Sequence, residues 1–262
     1  MRLAATVPAV LASFCQQSGW AQVWADEFDG AEVDTGAWTK DVRGPGDSRT
    51  RDATATADSV WVKDGSLVIR SNAHWTGSNW TSLTSGAVQT QGKVSWKGLT
   101  RVCVSAKLPG TAKAGRGIWP AHWMMPDDVS KWPCHGEIDI MEMINGDGVS
   151  HGTYHWSPSC DTISKAASAG QIHVGDDWDS AWHEYAVEYD GKTHVTFAVD
   201  GKVIHTITHA DKNASFFDVP YYMILNTAVG GPWPMPPDAS TVFPTYHYVD
   251  FVRVVQPSAV VV

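Results

Sequence analysis

Short β runs closed by turn residues dominate this chain. Residues 60–63, 67–71, 87–91, 100–107, 183–189, 193–199, 203–208 and 249–255 are rich in β-branched and aromatic side chains. Asp190-Gly191 and Asp200-Gly201 each separate two such runs, a strong hairpin signal. Tyr185, Val187 and Tyr189 alternate with Glu184, Ala186 and Glu188, as on a strand with one drier and one wetter face. No segment sustains a helical period, and only 164–169 reads as a single short helical turn. No repeat or low-complexity linker divides the 262 residues. A single all-β domain of that length is ordinary, so the pattern predicts a sandwich or jelly roll.

The run Glu137-Ile138-Asp139-Ile140-Met141-Glu142 puts three acids into a strand flanked by apolar β-formers. Buried carboxylates carry a solvation cost, so such a row calls for a use. Strand parity places Glu137 and Asp139 on one face and Glu142 on the other. One extra residue, a β-bulge at Met141 or its neighbour, would bring all three to a common face, and bulges concentrate beside active sites. Paired carboxyl groups are the working unit of a glycosidase, and a third acid can separate their pKa values. A charged edge strand is the plain alternative. A metal site is another, although no histidine stands at ligand spacing within the strand.

At this point the chain resembles glycoside hydrolase family 16. Glu-Ile-Asp-Ile-Met-Glu is similar to that family's signature in its bulged, laminarinase-like form. Trp24-Ala25-Asp26-Glu27-Phe28-Asp29-Gly30, Asp64-Gly65-Ser66-Leu67-Val68-Ile69 and Thr84-Ser85-Gly86-Ala87-Val88 resemble its first segments. The 117–126 stretch, Gly152-Thr153-Tyr154-His155-Trp156, the 224–231 stretch and Val249-Asp250-Phe251-Val252-Arg253-Val254 extend the match over 23–256. The pattern looks closest to fungal-type endo-1,3(4)-β-glucanases.

The resemblance implies a curved two-sheet jelly roll with an open cleft across its concave face. It implies retaining, endo-acting cleavage of β-1,3 or mixed β-1,3/1,4 glucans such as laminarin. Glu137 would be the nucleophile, Asp139 its hydrogen-bonded neighbour and Glu142 the acid/base. Trp119, Trp123, His155, Asn226, Arg116, Trp156 and Trp233 would contact the sugar. Of the other indoles among 14 tryptophans, Trp38, Trp61 and Trp182 read as core. The resemblance implies no cofactor for catalysis, and a structural calcium held by the carbonyls of Glu27 and Gly65 and by Asp250. One departure stands out. Many bacterial relatives carry a Glu and an Arg reaching the cleft where this chain has Cys103 and Ser105. Two other readings remain: a cell-wall glucan transglycosylase, and a non-catalytic glucan-binding module on the same fold. The module is disfavoured because all three acids are present.

A formal charge of −9, with 19 basic residues and no basic cluster, argues against nucleic acid and anionic membranes. A neutral polysaccharide bound by a monomer suits it. Residues 1–22 read as a secretory signal, with Arg2, an apolar stretch over 3–14 and small residues at Gly19 and Ala21; a disordered tail is the other reading. The catalytic domain would then be 23–262, extracellular, with Asn79 and Asn213 as glycosylation acceptors. Cleavage there leaves Cys103, Cys134 and Cys160, hence one disulfide at most. Cys134–Cys160 would pin the cleft wall if it formed, and Cys103 reads as a buried thiol.

Overall fold

The computed structural model describes residues 13–111, 114–130 and 132–258. Its strands begin with β1 (Trp20–Asp26), β2 (Thr39–Lys40), β3 (Thr54–Ala55), β4 (Val60–Lys63), β5 (Ser66–Trp75) and β6 (Trp80–Ser85). There follow β7 (Ala87–Gln89), β8 (Thr100–Lys107), β9 (Ile118–Pro126), β10 (Glu137–Glu142), β11 (Val149–Trp156) and β12 (Ala166–His173). The last are β13 (His183–Tyr189), β14 (His194–Val199), β15 (Lys202–Thr208), β16 (Tyr221–Val229) and β17 (Thr245–Pro257). Among the described residues, two 3-10 turns are the only helical elements. The 164–169 segment is therefore no helical turn. From Ala166 it extends along β11 as the edge strand β12, where pairing outweighs the local alanine and serine preferences.

Two sheets face one another. A ten-stranded sheet runs β15-β14-β13-β8-β17-β5-β6-β3, with β1 and β4 beside β17 and β5; a seven-stranded sheet runs β12-β11-β10-β9-β16-β7-β2. The Asp200-Gly201 turn joins β14 to β15 with both residues at positive φ, 49° and 75°, as the hairpin requires. Between the sheets, Tyr185, Val187 and Phe197 meet Ile138, Met141, Tyr154 and Met223 in one core. The packing is close enough that a Cβ on Gly152 of β11 would fall 2.5 Å from the Phe197 ring. Each large apolar side chain enclosed there contributes about 2–3 kcal/mol.

Residues 13–22, ahead of the expected domain start at 23, pack against this sandwich. Phe14–Gln16 forms a 3-10 turn, the Phe14 N–H donates to Glu184 Oε1 at 2.7 Å, and β1 begins at Trp20. Cys15 is disulfide-bonded to Cys103, so Cys103 is not a free thiol. The parity count failed because it discarded Cys15 with the leader. Residues 1–12 of that leader lie outside the described residues. Closing a bridge across 88 positions restricts the unfolded chain by about 4–5 kcal/mol in the loop-entropy treatment. Cys134 and Cys160 form the second disulfide.

Candidate active site

The outward face of the seven-stranded sheet carries the acids. Pairing of β10 with β9 runs regularly to Asp139↔Trp123 and resumes, shifted, at Met141↔His122. The β10–β11 register shifts between Asp139 and Glu142 as well. Ile140 and Met141 both turn into the core, at 1% and 0% exposure, so the chain consumes two residues on one side. Glu137, Asp139 and Glu142 consequently line one cleft of about 600 Å³. The bulge expected at Met141 or its neighbour is what aligns them.

Each acid has partners. The Trp119 indole N–H donates to Glu142 Oε1 at 3.0 Å, and Trp132 donates to Glu137. His155 Nε2 lies 3.0 Å from Asp139 Oδ2, placed there by the β10–β11 pair Glu137↔His155. Oxygens of Glu137 and Asp139 and a His155 nitrogen lie within 4.8 Å of one another, a spacing that would also hold a metal ion. Here His155 pairs with Asp139, and Trp132 donates to Glu137. The second such cluster, Cys134, His135 and Cys160, has both sulfurs committed to the disulfide.

Burial sets the protonation of the row. It pushes Glu137 up to about 8, with the nearby Asp139 charge adding to the rise and His155 and the Trp132 N–H opposing it. Burial likewise raises Asp139 to about 7. Glu142 rises well above the ordinary carboxylate range, first by burial and then by the Asp139 charge. Three acids this close do not all ionise near neutrality; the row titrates as a unit and retains protons.

β9 and β16 build the cleft floor. Trp119, Ala121, Trp123 and Met125 alternate outward along β9, and Tyr222, Asn226 and Ala228 do so along β16. The Trp123 N–H donates to Asn226 Oδ1 at 2.6 Å, and the Asn226 amide donates to Arg49 O at 2.7 Å. Asn226 is thus a 2%-exposed brace as well as a lining residue.

Residues 48–248 match the family described as glycosyl hydrolases family 16. The chain belongs to that family. A β-glucanase of Rhodothermus marinus is 33% identical over 255 residues, covering 90% of this chain and 85% of that protein. Glucan endo-1,3-β-glucosidase A1 of Niallia circulans is 31% identical over 90% of this chain, which spans 38% of that longer protein. The laminarinase catalytic domain from Thermotoga maritima MSB8 superposes with a TM-score of 0.76 at 31% identity, over 91% of this chain and 99% of that one. The family's jelly roll is the two-sheet sandwich described above, and membership makes this chain a glycoside hydrolase.

Several expected family 16 contacts fall elsewhere. Trp156 is wholly buried and stacks on Tyr154 at 5.6 Å, because it takes the strand parity opposite to His155 and faces the core. Arg116 does not line the cleft; it pairs with Asp238 at 3.1 Å. Trp233 stands at the cleft end, with its ring 5.4 Å from Trp119 and edge-on to it. Cys103 and Ser105 lie on β8 of the other sheet, so the departure there does not touch the cleft. Trp38 is core at 1% exposure, Trp61 is half-buried, and Trp182 is 42% exposed.

Among the cleft residues that the sequence reading missed, four come from loops and carry a cation or an indole: Arg49, Arg51, Trp132 and Lys165. Arg49 and Arg51 come from the loop after β2, with guanidiniums 6.0 Å from Trp123 and 5.0 Å from Trp119. The loop is tied to the end of β16, where Gly230 has φ +77° and a Cβ would fall 1.9 Å from Asp52 Oδ2. Trp132 and Lys165 come from loops beside Cys134 and Cys160, with Lys165 Nζ 4.1 Å from the Trp132 ring. The Arg-x-Arg pair and the indole beside Cys134 were the available signals.

Glu27 follows the end of β1 and Asp250 lies within the neighbouring β17, since β1 pairs with β17 up to Asp26↔Val252. Gly65 turns between β4 and β5, next to the Leu67↔Val249 pair. The Glu27 carboxylate accepts two hydrogen bonds from Arg253, both at 2.8 Å, and Asp250 helps hold the Arg253 pKa up. The donors left at this corner are carbonyls and one carboxylate, which fits a hard cation held weakly.

Proposed function

We propose that the protein is a secreted, endo-acting, retaining glycosidase that cleaves β-1,3 or mixed β-1,3/1,4 glucans. The observation that carries this reading is the bulge in β10, which turns Glu137, Asp139 and Glu142 into a cleft floored by indoles. Sugar C–H faces stack on such rings, and the ring N–H groups reach the acids. Glu137 attacks the anomeric carbon while Glu142 protonates the departing oxygen. Water, deprotonated by Glu142, then releases Glu137 from the glycosyl ester. Asp139, held by His155, takes the proton that Glu137 must shed before it attacks. The high pKa of Glu142 suits its start as an acid.

Secretion is consistent with two disulfides, which persist in oxidising compartments. Asn79 and Asn213 are exposed and open to glycosylation. No helix among the described residues is long and apolar enough to cross a membrane. The chain acts alone on the polysaccharide and needs no cofactor. Calcium at the Glu27, Gly65 and Asp250 corner is structural, so chelation lowers Tm by a few degrees at most (about 1 kcal/mol or less) and leaves kcat unchanged.

Reducing-end release from laminarin, lichenan, xyloglucan and agarose tests the class and linkage together. Laminarin is cleaved fastest, lichenan more slowly, and the other two are not cleaved. Glu137→Gln removes turnover, and azide restores cleavage to Glu137→Gly by forming an α-glycosyl azide. Full activity in Glu137→Gln would end this reading.

A further inference from the structure

The outer face of the ten-stranded sheet is covered over only part of its width. At one end Phe14 and Cys15 lie on Cys103, Ala186, Ala198 and Val255, pinned by the Cys15–Cys103 bridge. The other end is aromatic and open, except at Val68, which is 1% exposed. Strand pairing sets Trp61 opposite Val68, Val68 opposite Tyr248, and Tyr248 opposite Lys107. Lys107 Nζ lies 4.6 Å from the ring of Trp182, which leads into the next strand, β13. Four strand spacings make this row about 19 Å long, enough for several sugar rings end to end. Tyr246 widens it, stacking on Tyr248 at 6.1 Å and 30° and meeting Trp61 edge-on at 6.5 Å. Tyr246 and Tyr248 are each 36% exposed.

Polar groups flank the rings. Arg70, opposite Tyr246, holds its guanidinium 5.6 Å from Trp61, and its Nε is buried with no hydrogen-bond partner. A second cavity, of about 360 Å³, opens beside Tyr246 and Tyr248 and is lined also by Thr111, Asp179 and Thr245. The loops bounding it reach the cleft as well. Val242 donates its N–H to Ala114 O at 3.0 Å, and the strap carrying Val242 also carries Trp233, which meets Trp119 at the cleft end.

We propose that this face is a second, non-catalytic binding surface for the same neutral β-glucan; the proposal rests on the function given above. Flat rings with interleaved cations and a mixed-charge rim match the C–H faces and hydroxyls of a polysaccharide. Lys107 and Arg70 break the patch too often for a large apolar protein interface. The platform and the cleft lie on opposite faces of the sandwich, but loops at one end border both, so a long polymer passing round that end occupies both and the platform raises the local concentration of chain at the acids.

The test uses the full chain, with insoluble β-1,3-glucan as the binding probe and laminari-oligosaccharides too short to span both sites as the kinetic probe. In a Glu137→Gln background, the Tyr246→Ala, Tyr248→Ala, Trp182→Ala triple variant binds insoluble glucan about tenfold more weakly. With Glu137 intact, the same triple variant hydrolyses the short oligosaccharides within about twofold of wild type. Trp182→Ala alone, at an exposed lead-in, shows part of the loss, while Tyr246→Phe with Tyr248→Phe keeps the rings and the binding. Unchanged binding in the alanine variants overturns the second site, and so does a changed sedimentation coefficient with binding intact, which would give the face to a second copy of the chain. A wild type that releases no sugar from laminarin defeats the functional reading instead.

Discussion

On the cleft face of the seven-stranded sheet lie three acids, Asp139 buried and Glu137 and Glu142 half-buried, while on its core face β9 turns His122 against His247 of β17. The two imidazoles are fully buried, with Nε2 atoms 2.9 Å apart and rings stacked at 5.0 Å. Burial favours the neutral form on both faces, and because the groups differ in sign the pKa values diverge. Glu137 rises to about 8 and Asp139 to about 7. His247 falls to about 3 and His122 falls well below its ordinary value, burial being the larger cause in each. The difference separates chemistry from architecture. Acids that hold protons at neutral pH, open to a cleft, can move them. Histidines that stay neutral and sealed in can only hydrogen-bond.

Substitution separates the faces most sharply in turnover. Glu137→Gln lowers kcat by more than about 10⁴-fold, whereas His122→Phe, measured on folded protein, keeps it within about tenfold. Equal losses would erase the distinction.

The next effect is on acid stability. His247 keeps a folded pKa below its unfolded 6.5, so its contribution is complete above pH 6.5 and is lost as pH falls towards 3. His247→Phe therefore flattens the decline of urea stability between those limits by a few kcal/mol. An unchanged slope would mean that other groups govern acid unfolding.

The cleft acids give the opposite slope. Glu137 has a folded pKa above its unfolded 4.5, so its contribution is complete below pH 4.5 and fades as pH climbs through about 8; Glu142 shares that sign. Glu142→Gln accordingly gains stability relative to wild type as pH rises from 4 to 8. The smallest effect is kinetic. Trp119→Phe keeps a ring but removes the N–H that lowers Glu142, so the alkaline limb of kcat moves up by less than about one pH unit.

Legibility in the sequence followed the regularity of the backbone. Runs 60–63, 100–107 and 183–189 coincide with β4, β8 and β13 because β-branched residues and Asp-Gly turns encode them locally. The acid row was readable because it departs from parity by one residue. Parity cuts the other way for Trp156, which neighbours His155 and so faces the core. Arg49, Arg51, Trp132 and Lys165 reach the cleft from loops, whose course depends on tertiary contacts such as that of Asp52 with Gly230. The N-terminal turn was not legible for a related reason: Phe14, the last residue of the apolar stretch that suggests a leader, packs with Cys15 on the outer sheet through contacts distant in sequence.

The Cys15–Cys103 bridge bears on how the protein is best manufactured. In a reducing host the strap over Ala186 and Val255 would lose its covalent tie and rest on contacts such as those of Glu184, Arg101 and Phe14. Such material would expose an adhesive patch on the back while the catalytic groove kept its shape. Batches matched in specific activity would then differ in shelf life and clumping, and a thiol titration would tell them apart.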